Sequence, residues 1–367
     1  MGKRELFLIL GFVIAGAVVY QVAAPPAKDG EGFSFSRFWN RAKAEMMSDS
    51  SSNEYVHSGT IPLEDVTEVQ VTEFRYGAQI IGEERADLAY EFKVRSTGPT
   101  PEKALEYAKA SKLLQDRMGA TLSIGFSFPE PGQQTPALTL RVPKRMAIRL
   151  QGVTRPQVSD VASVRLDPVT GETKIRQVEG AVTGSHRSGT LVVSDVGSVK
   201  ILTTNSAARF TGVRNGATID VRGGGSCAVS ESAGALEIEN NNAEVTVSGH
   251  KGTIRIGGAG GRISVDGPTD ETRIEVRNSE VEVALKSAVN LTAQTTDQTL
   301  RLLLTGPPPV VIEAMASSGG KVQANEFGLT PEREDGRERL STTLGDRASA
   351  KVLLRNLRSD IVIRRGK

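Results

Sequence analysis

The sequence predicts a mainly β protein: a single-stranded β-solenoid (β-helix) preceded by a strand-rich first section with one covering helix, and by an amino-terminal transmembrane helix. Three observations lead to this fold class. A nine-residue repeat starts at Gly225, apolar residues alternate with polar ones after Val66, and an uncharged run opens the chain. Glycine supplies 38 of the 367 residues, a share that favours many short turns.

Residues 1–24 are predicted to be a transmembrane anchor. The nineteen residues from Leu6 to Ala24 carry no charge, and a helix of that length reaches about 28 Å, close to the thickness of a bilayer core. A cleaved signal peptide is the alternative, but Pro25 directly follows its only plausible cleavage site. The sequence therefore predicts a single-pass protein that contacts the cell membrane through residues 6–24. Its bulk is expected outside the cytoplasm, in the periplasm or at the surface.

Residues 25–59 are predicted to be a juxtamembrane segment and linker. Residues 32–47 mix four aromatic side chains with three basic ones, which fits either a short interfacial helix or an ordinary packed helix. The polar run from Ser48 to Glu54 indicates a linker.

Residues 60–150 are predicted to form the strand-rich first section. Three runs alternate apolar and polar residues, which is the pattern of half-buried strands. The apolar positions are Val66, Val69, Val71 and Phe74, then Leu88, Tyr90, Phe92 and Val94, then Leu122, Ile124, Phe126 and Phe128. One helix is predicted over residues 101–118, because Thr100 can cap it, Pro101 suits its first turn and Gly119 follows it. This helix is expected to cover one face or end of the sheet.

Residues 151–367 are predicted to form the β-solenoid. Five consecutive nonads open with Gly or Ala and place two apolar residues at the same positions: GSCAVSESA, GALEIENNN, AEVTVSGHK, GTIRIGGAG and GRISVDGPT. Two inward residues per strand cannot form a core alone, so successive coils must stack. With two nonads per turn Cys227 lies beneath Val245, whereas three per turn would place it against Ile254. The first arrangement also sets Glu237 opposite Arg255, as a cross-strand ion pair.

Several segments together resemble a known family. They are the strand Leu138–Gln151 with its Val-Pro bend, the glycine-spaced coils, and the closing strands Thr342–Arg365. In this order they resemble the bacterial β-helix domains of unknown function labelled putative adhesins or auto-transporter-adhesin-like proteins. Ser359-Asp360-Ile361 stands where the family has a Gly-Asp-Ile turn, and residues 296–340 lack clean nonads. The resemblance implies a surface-exposed or periplasmic solenoid and brings no catalytic residues with it.

The composition argues against several kinds of site. Lys plus Arg number 45 against 43 Asp plus Glu, so no net field favours nucleic acid. Cys227 is the only cysteine, which excludes an intramolecular disulfide, and its inward position predicts inert packing. The glycine run 223–225 lacks the residues of a phosphate loop and predicts a turn, and the run 257–261 lacks the aspartates of a calcium-binding repeat, so no calcium site is predicted there. The prolines at 307–309 predict a break between coils.

No catalytic constellation is recognisable. The three histidines are His57 in the predicted linker, His186 and His250. His250 lies at a turn and has no identifiable carboxylate partner, so it is expected to be exposed to solvent. Four outward acids could serve a polysaccharide-cleaving β-helix, but they are more typical of a soluble surface: Glu231, Glu237, Glu239 and Asp266. The sequence therefore predicts no enzyme, no catalytic or metal-binding residue and no cofactor.

The predicted function is an adhesin-like binding or structural surface, with an envelope polysaccharide or a protein as its partner. A self-assembling envelope scaffold is the first alternative, because the ends of a solenoid expose strand edges that could join copies end to end. An enzyme acting on polysaccharide is the second alternative.

Overall fold

The computed structural model describes residues 51–130, 132–306 and 308–366. Hydrogen bonds join the strands of these residues into one continuous sheet of 26 strands, accompanied by one α-helix and a 3₁₀ turn (Asn325–Phe327). The prediction of a mainly β protein is therefore confirmed.

The elements of the first section alternate strands with the single helix. They are β1 (Ser51–Pro62), β2 (Glu68–Thr72), β3 (Ala78–Glu83), β4 (Asp87–Gly98), α1 (Pro101–Ala110), β5 (Lys112–Met118), β6 (Thr121–Ser127), β7 (Gln134–Pro143) and β8 (Ala147–Gln151).

The remaining elements are strands joined by short turns. They are β9 (Gln157–Ser159), β10 (Ser163–Thr211), β11 (Ala217–Arg222), β12 (Ser226–Ser230), β13 (Leu236–Asn241), β14 (Glu244–Ser248), β15 (Ile254–Ala259), β16 (Arg262–Asp266), β17 (Thr272–Arg277), β18 (Glu280–Leu285), β19 (Leu291–Thr296), β20 (Leu300–Leu304), β21 (Val310–Ser317), β22 (Val322–Gln323), β23 (Glu332–Glu334), β24 (Arg337–Leu344), β25 (Ala350–Leu357) and β26 (Ile361–Arg365).

Parallel pairing arranges these strands in two ladders. Ladder A runs in the order β6, β2, β8, β10, β11, β13, β15, β17, β19, β25 and β21. Ladder B runs in the order β7, β3, β9, β10, β12, β14, β16, β18, β20, β26 and β22. Strand β10 contributes to both ladders, because residues with positive φ, such as Ser188 and Asn205, turn it from one to the other. One strand of ladder A and the adjoining strand of ladder B together form a rung.

The predicted register of the nonads is confirmed. Cys227 pairs with Val245, and Val245 with Ile263, so β12, β14 and β16 of ladder B are offset by 18 residues from one to the next. An offset of 27, which would bring Cys227 to Ile254, does not occur. Leu236 likewise pairs with Ile254 in ladder A. The inward residues of both ladders, shielded from water, belong to one continuous apolar core.

The first section is part of the same sheet. Strands β2 and β3 pair in parallel with β8 and β9, so they occupy a rung of the ladders. The predicted linker is wrong for residues 51–59, which belong to β1 and pair antiparallel with β4. A polar composition indicated a linker here, but an edge strand with one solvated side can be equally polar.

The predicted helix over residues 101–118 is correct only in its first part. Thr100 caps α1 as expected, accepting a hydrogen bond from the Lys103 backbone, and the helix ends at Ala110. The residues after Ser111 form β5 instead, antiparallel to β6. Leu114 and Met118 suggested a continuing apolar helix face through their spacing, but both are exposed, with fractions of 48% and 71%.

The predicted membrane location needs correction. In the described ranges no helix is long and apolar enough to cross a bilayer, α1 having ten residues. This finding contradicts the predicted single-pass membrane location. The predicted anchor over residues 6–24 and the two alternatives for residues 32–47 lie outside the described residues.

Candidate functional site

The outer surface of ladder A carries the residues of the candidate site. Inward positions of its strands are apolar, as in Ile238, Ile256 and Ile274, so the positions between them face outward. Parallel pairing stacks the outward positions into columns that cross the strands. Two columns matter here, column 1 (Asp220, Glu239, Gly257, Glu275 and Gln294) and column 2 (Arg222, Asn241, Ala259, Arg277 and Thr296).

A groove of about 920 Å³ follows these two columns. Its lining consists of the nine residues of columns 1 and 2 other than Gly257, together with Asn240, Gly258 and Val276. The carboxylates of Asp220, Glu239 and Glu275 and the guanidinium groups of Arg222 and Arg277 give this lining its mixed charge.

Strand β15 forms the floor of the groove through its small residues Gly258 and Ala259, and the small residue Gly257 directly precedes them. Gly258 has a φ of +117°, and a Cβ atom there would lie 1.9 Å from the Asn240 carbonyl oxygen, so this position requires glycine. Gly257 has no such requirement. A Cβ atom at Gly257 would approach only the flexible carboxylate end of Glu239.

Two acidic residues of the groove have basic partners on their own strands. Asp220 accepts a hydrogen bond from Arg222 at 2.7 Å, and this bond and the charge of Asp220 raise the pKa of Arg222. Glu275 pairs with Arg273 at 2.7 Å, with the same effect on the pKa of Arg273. Within the part of the chain that the structure describes, no ion pair involves Glu239.

The four outward acids that were named from the sequence lie in different parts of the structure. Glu239 lies in the groove, whereas Glu237 lines a smaller depression of about 250 Å³ beside it. Glu237 is opposite Arg255 as predicted, but no ion pair joins the two side chains in the described structure. Asp266 lies on ladder B and pairs with Lys286 at 2.8 Å, and Glu231 is an exposed residue of positive φ.

The prediction for His250 is wrong. Its side chain is 2% exposed, because the ring turns inward and lies 2.8 Å from the Ser232 hydroxyl and 3.0 Å from the Gly234 carbonyl oxygen. His186 is fully buried in a similar setting, between Ser206 and the carbonyl oxygen of Gly171. Burial lowers the pKa of both imidazoles. His57 lies on β1, not in a linker, with Nε2 3.1 Å from the Ala108 carbonyl oxygen.

The surroundings of Cys227 and of the glycine run 223–225 indicate packing and a turn, respectively. Burial raises the pKa of the Cys227 thiol to about 12, which disfavours the reactive thiolate. Residues 223–225 form the turn between β11 and β12, as predicted. No group of three or more His, Cys, Asp and Glu residues in the described ranges is placed to hold a metal ion.

Comparisons with known proteins find likeness at the level of solved structures. No protein-family model matches the chain, and no curated protein matches it. A putative cell adhesion protein from Clostridium sporogenes is 11% identical, over 86% of this chain and 100% of that one, with a TM-score of 0.21. A putative adhesin from Parabacteroides merdae is 8% identical, over 85% and 97%, with a TM-score of 0.32. A putative lipid binding protein from Parabacteroides distasonis is 12% identical, over 86% and 97%, with a TM-score of 0.29.

The names of these neighbours agree with the resemblance to putative adhesins seen in the sequence. At such identities and TM-scores the likeness carries no argument about what this chain binds. We therefore base its function on its own residues.

Proposed function

We propose that the chain is a β-solenoid that serves as an adhesin-like binding surface for a protein partner, through the groove of ladder A. The solenoid is supported by parallel offsets of 18 or 19 residues between neighbouring strands from β10 to β20, with Cys227, Val245 and Ile263 in register and with one core behind both ladders.

The groove is the observation that carries the binding proposal. Its floor of glycine and alanine lies on rigid strands, between outward side chains of both charge signs. Such a surface can accept an extended polar segment, and charges of both signs suit the mixed groups of a protein better than a uniformly charged polymer.

Enzymatic activity forms no part of the proposal. The buried histidines contact a serine hydroxyl and a backbone carbonyl oxygen, and they have no carboxylate partner among the described residues. Burial also keeps the Cys227 thiol protonated. Nothing in these arrangements points to an activated base or nucleophile.

The scaffold alternative is less well supported, because antiparallel strands cover three of the four ends of the ladders in the described structure. Strand β5 pairs with β6 at the amino-terminal end of ladder A, and β4 and β1 extend ladder B. At the carboxyl-terminal end of ladder A, β24 lies against β21 and β23 lies against β24. These strands hinder another copy from adding directly to the parallel ladders.

Arrays of synthetic peptides and of glycans test the proposal when they are screened with the purified chain. A Gly257→Tyr variant fills the groove, and Ser264→Tyr places the same side chain at an outward position of ladder B. We expect peptides that bind the parent and Ser264→Tyr but not Gly257→Tyr. Binding of glycans alone would contradict a protein partner, and the absence of any binding sensitive to Gly257→Tyr would contradict the groove.

A further inference from the structure

Outward carboxylates on one rung commonly pair with a base on the next rung. Examples with nitrogen to oxygen distances between 2.7 and 3.1 Å are Arg149–Asp167, Arg262–Glu280, Lys286–Asp266 and Lys351–Glu313. Glu280 also contacts Arg301 on its other side, so it lies between two bases. Charges of opposite sign on adjacent strands stabilise a sheet, whereas like charges destabilise it.

Column 1 departs from this pattern at Gly257. The residue pairs with Glu239 on one side and with Glu275 on the other. The α-carbons of the two glutamates are two strand spacings apart, about 9.5 Å. A base at the position between them would repeat the arrangement of Arg262, Glu280 and Arg301 with the signs reversed, but the position carries no side chain.

The backbone does not demand glycine at this position. Gly257 lies outside the left-handed region, in contrast to its neighbour Gly258. The carboxylate of Glu239 already leans over the α-carbon of Gly257, as its Oε2 would lie 2.7 Å from a Cβ atom there. An open space at the floor of the groove therefore adjoins two carboxylates, only one of which has a basic partner in the described structure.

We infer that this space receives a lysine or arginine side chain of the protein partner, inserted over Gly257 between Glu239 and Glu275. The inference rests on the proposed function and specifies its chemistry. A guanidinium or ammonium group at this position donates charge-assisted hydrogen bonds to both carboxylates. Arg277, on the same strand as Glu275, is available to donate to a carbonyl or carboxylate oxygen of the same partner segment.

A pair of labelled peptides tests the inference. Both are short Gly/Ser peptides, one with a central arginine and the other with citrulline, which keeps the shape and lacks the charge. Fluorescence anisotropy measures their binding to the parent, to Glu239→Gln/Glu275→Gln and to Gly257→Lys. A matched control, Glu237→Gln/Glu282→Gln, removes two outward carboxylates that do not line the groove.

The arginine peptide should bind the parent about ten-fold more tightly than the citrulline peptide, the range expected for a hydrogen bond to a charged group. The preference should vanish in Glu239→Gln/Glu275→Gln and in Gly257→Lys, whose own ammonium group occupies the space, and persist in the control. Thermal unfolding checks that the exposed substitutions leave each variant folded.

Three results would overturn the inference: equal binding of both peptides, no binding of the arginine peptide, or a preference that survives in Glu239→Gln/Glu275→Gln. If array peptides still lose binding in Gly257→Tyr, the groove remains the binding surface and only its preference for a cation is wrong. If no binding depends on Gly257, the proposed function fails as well.

Discussion

At the scale of single residues, the two buried histidines differ in how they tolerate a proton. In each neutral ring, the nitrogen that faces a carbonyl oxygen donates and the other nitrogen accepts from a serine hydroxyl. When His186 is protonated, the hydroxyl of Ser206 can donate instead to the Thr204 carbonyl oxygen at 2.9 Å. Among the described residues, the Ser232 hydroxyl has no such second acceptor. A proton on His250 therefore leaves a buried hydroxyl without an acceptor.

The stability of the protein should consequently fall in acid. Burial lowers the folded-state pKa of His250 from its ordinary value of 6.5, an effect partly offset by hydrogen bonds with the Thr253 and Gly234 backbones. The unfolded chain then binds more protons below pH 6.5, so the free energy of unfolding decreases as the pH falls through that value towards the folded pKa. The loss from one histidine is at most about 1.4 kcal/mol per pH unit.

Urea denaturation at pH 7.5 and at pH 5 measures this effect. His250→Gln should lose less stability between the two pH values than the parent, because glutamine does not titrate. The control is His57→Gln, which removes a half-buried histidine of β1 and should keep the parent's difference. An unchanged pH difference in His250→Gln would show that other groups cause the acid sensitivity.

At the scale of elements, both ends of the ladders are completed out of sequence order. Strands β25 and β26 lie between β19 and β21 and between β20 and β22, although they follow all four in the chain. Strands β2 and β3 are inserted in the same way, between β6 and β8 and between β7 and β9. The outermost parallel rung at each end thus depends on a segment that is distant in sequence.

Weakening β25 should therefore release the segment beyond it. Leu354 is 1% exposed, and Leu354→Ala should lower the free energy of unfolding by about 2–5 kcal/mol. Because β21 connects to ladder A through β25, amide hydrogen exchange should accelerate together over residues 310–344. Strands β12 to β16 should keep their protection. Arg355→Ala, at an exposed position of β25, serves as the control, and faster exchange spread evenly over the chain would contradict this coupling.

The sequence predicted those elements whose signal is local. The nonads indicated the strand positions and, with the choice of two per turn, the register of Cys227 and Val245, because an unbroken repeat stacks on itself. The sequence could not predict the inserted rungs, because pairs such as Leu291 with Val352 join residues that do not belong to one repeat. The groove was missed for a different reason. Glu239 was considered only as one of four outward acids, although the offset of 18 already places Gly257 and Glu275 in line with it.

At the scale of the whole molecule, the outermost strand at the carboxyl-terminal end of ladder A is blunted by charge. Strand β23 has three residues, Glu332, Arg333 and Glu334, and all are exposed. It pairs with β24 in a hairpin whose facing residues are also charged. On ladder B, the carboxylate of Glu338 accepts a hydrogen bond from the Val322 backbone at the outer strand β22. Short, charged edges of this kind resist pairing with another chain.

Removal of the two carboxylates of β23 should allow this edge to pair with another copy of the chain. In Glu332→Val/Glu334→Val the two substituted residues favour a strand and no longer repel another chain. Analytical ultracentrifugation should show that this variant associates increasingly as its concentration rises. The sedimentation coefficient of the parent should not increase with concentration. Glu237→Val/Glu275→Val adds the same apolar area in the middle of ladder A, where both edges of each strand are already paired. Association of that control to the same extent would mean that apolar area, and not the strand edge, causes the effect, while assembly of the parent itself would restore the scaffold alternative.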